Sequence, residues 1–288
     1  MPRVAGSLIG LSVGDALGAP LEGFPPPDHL YTRMRGGGLH GLPAGAVTDD
    51  TLQACAVAES LICCRKFDPS DIMRRFLEGF DAHPEFYGPT SRAVFSAVRA
   101  GIPLKEAALW AHRQSGRSRS NGSVMRGAPI GIFYPPGMVA GISVACSRLT
   151  HFDPVAAECS VFVNRMISHL CRGADRRTAY RHALAKTRDP EVRGVMASLH
   201  SRPLEPTLDA LDTIHCAVSL LLASRSFSSA VIGAVNLGGD ADTAGAVTGA
   251  LAGAAWGIDA VPRIWLDALQ ERDRLLALSR RLNAAAIA

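Results

Sequence analysis

The sequence has few stretches that would build a sheet. Aromatics are 6% of its 288 residues, and no convincing alternating run of Val, Ile, Thr and aromatics stands between hairpin turns, so the expected fold is all-α. No C-x-x-C pair occurs among Cys55, Cys63, Cys64, Cys146, Cys159, Cys171 and Cys216. An odd cysteine count in mostly apolar helical contexts argues against a disulfide framework and against a zinc site, and points to a reducing cytoplasm. No apolar run reaches the roughly 18 residues that a membrane span needs. The N-terminal stretch "MPRVAGSLIGLSVGDALG" reads as ended early by Asp15, with no A-x-A-like cleavage site after it. There is no repeat with a period of 20 to 50 residues, no G-x-G-x-x-G, no P-loop and no flexible linker. The formal charge of +4 is mild and dispersed, with "RSRS" (Arg117 to Ser120) as its densest cluster. That argues weakly for an anionic ligand, against duplex nucleic acid, and for a surface loop there.

The composition, 48% hydrophobic and 19% charged, supports one compact multi-helix domain over 1–288. Helical spacing predicts helices near 3–14, 49–65, 69–82, 90–100, 104–115, 121–132, 137–149, 154–172, 176–187, 207–224, 227–236, 241–256 and 262–283. Asp68 and Asp153, each followed by Pro, are expected N-caps. Loops fall at 23–47, 83–90 and 115–122, the first long enough to suggest a functional role. Gly6, Gly10, Gly14 and Gly18 recur every four residues, giving the first helix a face that another backbone can approach closely.

Two helix starts are unusually acidic. "VTDDTLQACAVAESL" opens on Thr48, Asp49, Asp50 and Thr51, and "GGDADTAGAVTGALAG" opens on Asp240, Asp242 and Thr243. Either alone reads as a capped N-terminus whose acids complement the helix dipole. Together they present two hard-oxygen sets in Gly-flanked turns, suited to Mg²⁺, Mn²⁺ or Ca²⁺. An EF-hand does not explain them, because the fifth and twelfth positions counted from Asp240 are Ala244 and Leu251. Divalent cations would offset the repulsion among Asp49, Asp50, Asp240 and Asp242. The Ala/Gly run after Thr243 would then let that helix sit deep in the core. In "GDALGAPLE", Asp15 reads as a brace for the turn, and Glu22 as a solvated loop residue or a further carboxylate at the same centre.

With these residues in view, "GLSVGDALGAPLE", "GAVTDDT", "SNGSVMRGAPI", "LTHFDP" and "NLGGDADTAGAVTGALAGAAWG" resemble the motifs of the ADP-ribosylglycohydrolase family. They stand in the family's order over nearly the whole chain, with the dinitrogenase reductase-activating glycohydrolases most similar. The resemblance implies an all-α fold, two Mg²⁺ or Mn²⁺ ions, and hydrolysis of the bond joining ADP-ribose to a modified side chain, most readily arginine. It implies an ADP-ribosylated protein as substrate and ADP-ribose as product. By the same resemblance Thr48, Asp49, Asp50, Asp240, Asp242 and Thr243 are metal ligands, and Glu22, Asp49, Asp50 and Asp240 the catalytic carboxylates. Asn121, Gly122 and Ser123 lie along the diphosphate and distal ribose, Arg126 braces that loop, and His151 stands near the nucleotide.

Read from the residues alone, the Asn121 turn is either an N-cap or an anion site of free N–H groups, and His151 either a capping or satisfied core histidine or a nucleotide contact. Two departures bear on the leaving group: Asp209 stands where related enzymes often carry an aromatic, and "YGPTSR" matches only loosely. Serine-linked, nucleic-acid-linked or free ADP-ribosyl substrates, and a catalytically silent ADP-ribose-binding protein, are the alternative readings.

Overall fold

The computed structural model describes residues 2–287. Fifteen α-helices lie among the described residues: α1 (Pro2–Gly18), α2 (Asp49–Cys64), α3 (Pro69–Ala82), α4 (Pro89–Arg99), α5 (Leu104–Ser115), α6 (Ala128–Phe133), α7 (Pro136–Ser147), α8 (Pro154–Cys171), α9 (Arg176–Ala185), α10 (Pro190–Ala197), α11 (Ala210–Ala223), α12 (Phe227–Val235), α13 (Ala241–Trp256), α14 (Arg263–Ala268) and α15 (Arg272–Ala285). The described residues contain no strand, only two isolated bridges, Gly37 with Leu42 and Ser120 with Asp209. The all-α expectation therefore holds.

At the centre α1 and α13 run antiparallel with their backbones in contact. A Cβ placed at Gly6, Gly10, Gly14 or Gly18 would lie 2.3, 2.2, 1.9 or 2.4 Å from the carbonyl oxygen of Gly253, Gly249, Gly245 or Ala241 respectively. Such distances leave no room for any side chain, so the four-residue glycine spacing of α1 and the Ala/Gly run of α13 are two halves of one seam. Its register has a functional consequence. The C-terminal end of α1, with Asp15, is fixed beside the N-terminal end of α13, with Asp240 and Asp242.

The expected caps at Asp68 and Asp153 are present, each carboxylate accepting from the two N–H groups of its helix's first turn. Other boundaries differ from the sequence reading for identifiable reasons. Asp15 does not end the first helix, because its carboxylate is satisfied by neighbouring donors and α1 continues to Gly18. With the turn that follows it, Pro2–Leu21 is long and apolar enough to cross a membrane, but 83% of that window is buried inside the protein, as befits a core helix. The expected helix 121–132 is split, since Pro129 is confined to the first turn of α6. The expected helix 262–283 breaks at Leu269, where the Gln270 N–H turns to the carbonyl of Gly45 at 3.1 Å. Helix α10 was missed although Asp189-Pro190 carries the same cap-and-proline signature as Asp68-Pro69.

Candidate active site

Five Asp residues cap helices with their own side chains in this structure: Asp68, Asp153, Asp175, Asp189 and Asp209. The two acidic starts do not. Neither Thr48 ahead of α2 nor Asp240 ahead of α13 makes a side-chain cap bond. The N-terminus of α2 is held instead by Asp15, whose buried carboxylate accepts from the Thr48 N–H (3.0 Å), the Thr48 hydroxyl (2.9 Å), the Thr51 N–H (3.1 Å) and the Thr51 hydroxyl (2.5 Å). The acids of α2 are thus released from capping and point to another use.

Asp49, Asp50, Asp240 and Asp242 are 8, 1, 8 and 4% exposed, and Oδ1 of both Asp50 and Asp242 is buried without a hydrogen-bond partner. Carboxylate oxygens shut away from water without a donor are costly, so their presence calls for a positive partner. Burial, with neighbouring carboxylates adding to it, pushes Asp49, Asp50 and Asp242 well above the ordinary carboxylate range. Burial raises Asp240 as well, against hydrogen bonds that include one from Asn121. Glu22 is raised to about 7 by burial and by the charges of Asp240 and Asp15. It accepts no hydrogen bond among the described residues and stands 3.7 Å from His40 Nε2.

Two of the acids, Asp240 and Asp49, are oriented from behind. Asn121 Nδ2 donates to Asp240 and, at 2.9 Å, to Thr213 Oγ1. Gln53, one turn along α2, donates Nε2 to Asp49 at 2.8 Å and accepts from Arg126 Nη1 at 2.9 Å. The Arg126 guanidinium is fully buried over the Phe76 ring and also donates to the Cys146 carbonyl and Thr150 Oγ1. Thr150 Oγ1 lies 2.7 Å from His151 Nδ1, and His151 Nε2 lies 2.7 Å from Ser120 Oγ. Ser120 donates on to Thr90 and Thr150 accepts from Arg126. That assigns the Nε2–H tautomer, with Thr150 donating to Nδ1. Burial and the Arg126 charge lower His151 to about 3, so it is neutral.

The sequence reading missed Gln53, Ser120, Thr150 and Thr213. Only Gln53 carried a signal, its i+4 spacing from Asp49.

Two positive-φ glycines, Gly238 and Gly239, form the turn that delivers Asp240. A Cβ on Gly239 would meet the Pro206 carbonyl at 2.2 Å, and one on Gly238 the Phe24 carbonyl at 2.7 Å. The mouth of α13 is therefore clamped between the segments at 22–26 and 206–209.

A cleft of about 820 Å³ opens over this floor. Glu22, Asp49, Asp50, Asp240, Asp242 and Thr243 form its base; Phe86 and Gly88 to Ser91 one wall; Ser115, Arg117 to Gly122 and His151 another; and Thr207 to Asp209 a third. The loops at 83–90 and 115–122 thus both converge on it. Gly122 faces His151, where a Cβ would lie 3.1 Å from the ring, and among the described residues the Gly122 and Ser123 amides donate to no acceptor. Ser123 and Arg126 stand behind the walls rather than in them, and Thr48 lies under the edge of the floor, its hydroxyl 3.4 Å from Asp50 Oδ2. The "RSRS" segment is not a loose surface loop. Ser118 is buried, receiving the N–H groups of Phe152 and Asp153, and Arg119 is ion-paired to Glu191 at 2.7 Å and Asp209 at 2.8 Å. Asp209 thereby fixes one wall of the cleft to another.

The chain has counterparts among known proteins. The model of the family described as ADP-ribosylglycohydrolase matches residues 1–287. The chain is 30% identical over 304 residues to ADP-ribosyl-[dinitrogen reductase] glycohydrolase of Rhodospirillum rubrum, covering 96% of each. It is 29% identical over 298 residues to ADP-ribosylarginine hydrolase Tri1 of Serratia proteamaculans (strain 568), covering 98% of this chain and 79% of that one. A solved structure titled ADP-ribosylglycohydrolase-related protein complex superimposes with a TM-score of 0.88 at 34% identity, covering 99% of this chain and 98% of its own. With the fold, the acidic floor and these matches in agreement, the chain belongs to the ADP-ribosylglycohydrolase family of enzymes.

Proposed function

We propose that this enzyme hydrolyses the glycosidic bond between ADP-ribose and the guanidinium of a modified arginine on a protein, with two Mg²⁺ or Mn²⁺ ions held by Thr48, Asp49, Asp50, Asp240, Asp242 and Thr243. The observation that carries the reading is the pair of unpartnered buried oxygens, Asp50 Oδ1 and Asp242 Oδ1, on an all-acidic floor. A hard-oxygen donor set without interleaved His or Cys fits these ions. No three His, Cys, Asp or Glu side chains among the described residues form a ready-made cage. A small octahedral ion accepts that, since it takes one or two carboxylates and completes its shell with hydroxyls and water. When bound, the ions supply Lewis-acid polarisation and a lowered pKa for attached water.

The chain's own residues do the rest. Gln53 and Asn121 hold Asp49 and Asp240 in fixed rotamers, so the donor set is pre-organised. The free amide of Gly122, which lines the cleft at the start of a turn, suits an anionic diphosphate. Neutral His151, locked between Thr150 and Ser120, stiffens that wall without adding charge. Glu22 accepts no hydrogen bond among the described residues and lines the cleft, and its carboxyl, raised to about 7 in the metal-free chain, can take up and return a proton. It is the residue assigned here to proton transfer. The names of two relatives, which specify ADP-ribosylarginine and ADP-ribosylated dinitrogen reductase as their substrates, support the choice of arginine.

The test is release of ADP-ribose from ADP-ribosyl-arginine and ADP-ribosyl-serine peptides with Mg²⁺, Mn²⁺ or EDTA. Metal-dependent release from the arginine peptide is expected. Release that persists in EDTA would remove the ions from the reading, and release from serine alone would replace the linkage.

A further inference from the structure

We propose that a second cleft, between α9, the end of α10 and the C-terminal half of α11, is a binding site for a small organic phosphate with an apolar or aromatic body. The cleft measures about 610 Å³, within the range that small-molecule sites occupy. Its chemistry is opposite to that of the acidic floor. Arg177 and Arg181 stand four residues apart on α9, on the same face of the helix, and His200 lines the cleft beside them. Among the described residues no carboxylate lies within ion-pair distance of either arginine. Their guanidinium groups are therefore not neutralised by the protein's own acids, and Arg181 Nη2 donates only to Thr178 Oγ1 at 3.2 Å.

The floor holds the second, independent observation. Ser219 is 8% exposed, lines the cleft, and its hydroxyl has no hydrogen-bond partner. One turn earlier on α11, fully buried His215 donates Nε2–H to the Leu199 carbonyl at 2.8 Å, leaving Nδ1 as a buried acceptor with no donor. Leu199 itself lines the cleft. Buried polar atoms without partners are rare and mark places where something else supplies the bond.

The remaining lining is apolar: Leu199, Leu222 and the ring of Tyr180, whose hydroxyl is already committed to the Met196 carbonyl. Two guanidinium groups and a buried hydroxyl lining one cleft match a phosphate group, which accepts bidentate bonds from arginine. The apolar floor matches the body that carries it. The site lies on the helix whose N-cap, Asp209, lines the first cleft, roughly 15 Å away along α11 at 1.5 Å per residue from Asp209 to Ser219. Nothing in this proposal depends on the chemistry at the acidic floor.

The test uses adenosine monophosphate as probe, titrated by calorimetry into the full chain and into a variant changed only in the second cleft, so that the difference between the two reports on that cleft alone. One equivalent of the probe is expected to bind there. In the double variant R177E/R181E, whose positions are solvent-exposed, binding weakens by ~10-fold or more, while ADP-ribose release from the arginine peptide without probe is unchanged. Ser219→Ala weakens binding with the fold intact by circular dichroism. Inorganic phosphate alone binds more weakly than the nucleotide. No heat up to millimolar probe, or binding that R177E/R181E leaves intact, overturns the site. Equal binding of bare phosphate overturns the role of the apolar floor.

Discussion

Gly14 of α1 lies against the backbone of Gly245 of α13 so closely that a methyl group on it would sit 1.9 Å from the Gly245 carbonyl oxygen and 2.3 Å from its carbonyl carbon. Both atoms are backbone in a buried helix, so neither can swing aside. Gly14→Ala must push α1 and α13 apart, and overpacking of this kind costs on the order of 2–3 kcal/mol or more even though alanine favours the helix by about 1 kcal/mol. Gly141→Ala in α7 supplies the control, since a Cβ there meets nothing within 4 Å. It should be neutral or stabilise by up to about 1 kcal/mol. Urea unfolding of the two variants checks this. Gly14→Ala within about 0.5 kcal/mol of the parent would mean the seam is not closed as described.

Asp15 is the second point where fold and site meet. Four donors from Thr48 and Thr51 converge on one buried carboxylate. Asp15→Asn replaces one acceptor oxygen with an NH₂ that faces donors, leaving buried N–H and O–H groups unpaired at about 1–3 kcal/mol each. A loss of stability of roughly 2–4 kcal/mol is expected, together with weaker Mn²⁺ binding because the start of α2 no longer holds its register. Chemical denaturation and calorimetry read the two effects separately. Retention of both at parental values would show that Asp15 is not the brace.

The sequence made the seam and both acidic starts visible, because each rests on residue types with one dominant physical use: glycine every fourth position for close approach, and paired Asp with Thr at a helix start. The start of α13 could be placed to the residue. What was not legible depends on contacts distant in sequence. That Asp15, not Thr48, satisfies the start of α2 follows only once α1 and α2 are side by side. The role of Ser120 depends on His151, 31 residues away, and that of Thr150 on Arg126, 24 residues away. The break at Leu269 is imposed by a loop more than 200 residues earlier, Ala44 and Gly45 taking the bonds of Gln270. Pro129 and Asp189-Pro190 are different, since both are readable from local rules: the expected helix 121–132 runs across Pro129, and no helix is expected after Asp189-Pro190 although it repeats the Asp68-Pro69 signature.

Asn121 separates two roles that a motif alone does not. Its side-chain amide donates to Asp240, Thr213 and the Thr207 carbonyl, which makes it a positioning residue for an acid of the floor. Asn121→Ala is expected to weaken Mn²⁺ binding or metal-saturated turnover by ~10–100-fold, the usual effect of removing a ligand's orienting partner. If its main role were instead to contact substrate, the KM for the ADP-ribosyl peptide would rise while metal affinity stayed put. Measuring Mn²⁺ affinity by calorimetry alongside kcat and KM distinguishes the outcomes.

The acidic floor also sets how stability depends on pH. In the folded chain Asp15 is raised from its ordinary 3.8 to about 6, with burial as the main cause, and Glu22 from 4.5 to about 7, by burial and then by Asp240 and Asp15. The folded state therefore keeps protons that the unfolded chain releases, and stability in chelator is fully present below pH about 4. It is lost as pH rises through about 6 to 7. For Asp15 alone the shift from 3.8 to about 6 corresponds to roughly 3 kcal/mol at 1.36 kcal/mol per unit. Glu191, held low chiefly by its bonds from Arg119, works in the opposite sense, with stability lost below its depressed value and thus at more acidic pH. A cation binds the deprotonated set, so Mg²⁺ or Mn²⁺ should add most stability where the metal-free protein has lost most, near pH 7, and little near pH 4 to 5. Thermal unfolding across that range with EDTA and with millimolar Mn²⁺ should give two curves that diverge as pH rises. A flat curve in EDTA would show that these carboxylates are not held protonated by the fold. A Mn²⁺ gain as large at pH 5 as at pH 7 would place the ion away from Asp49, Asp50, Asp240 and Asp242.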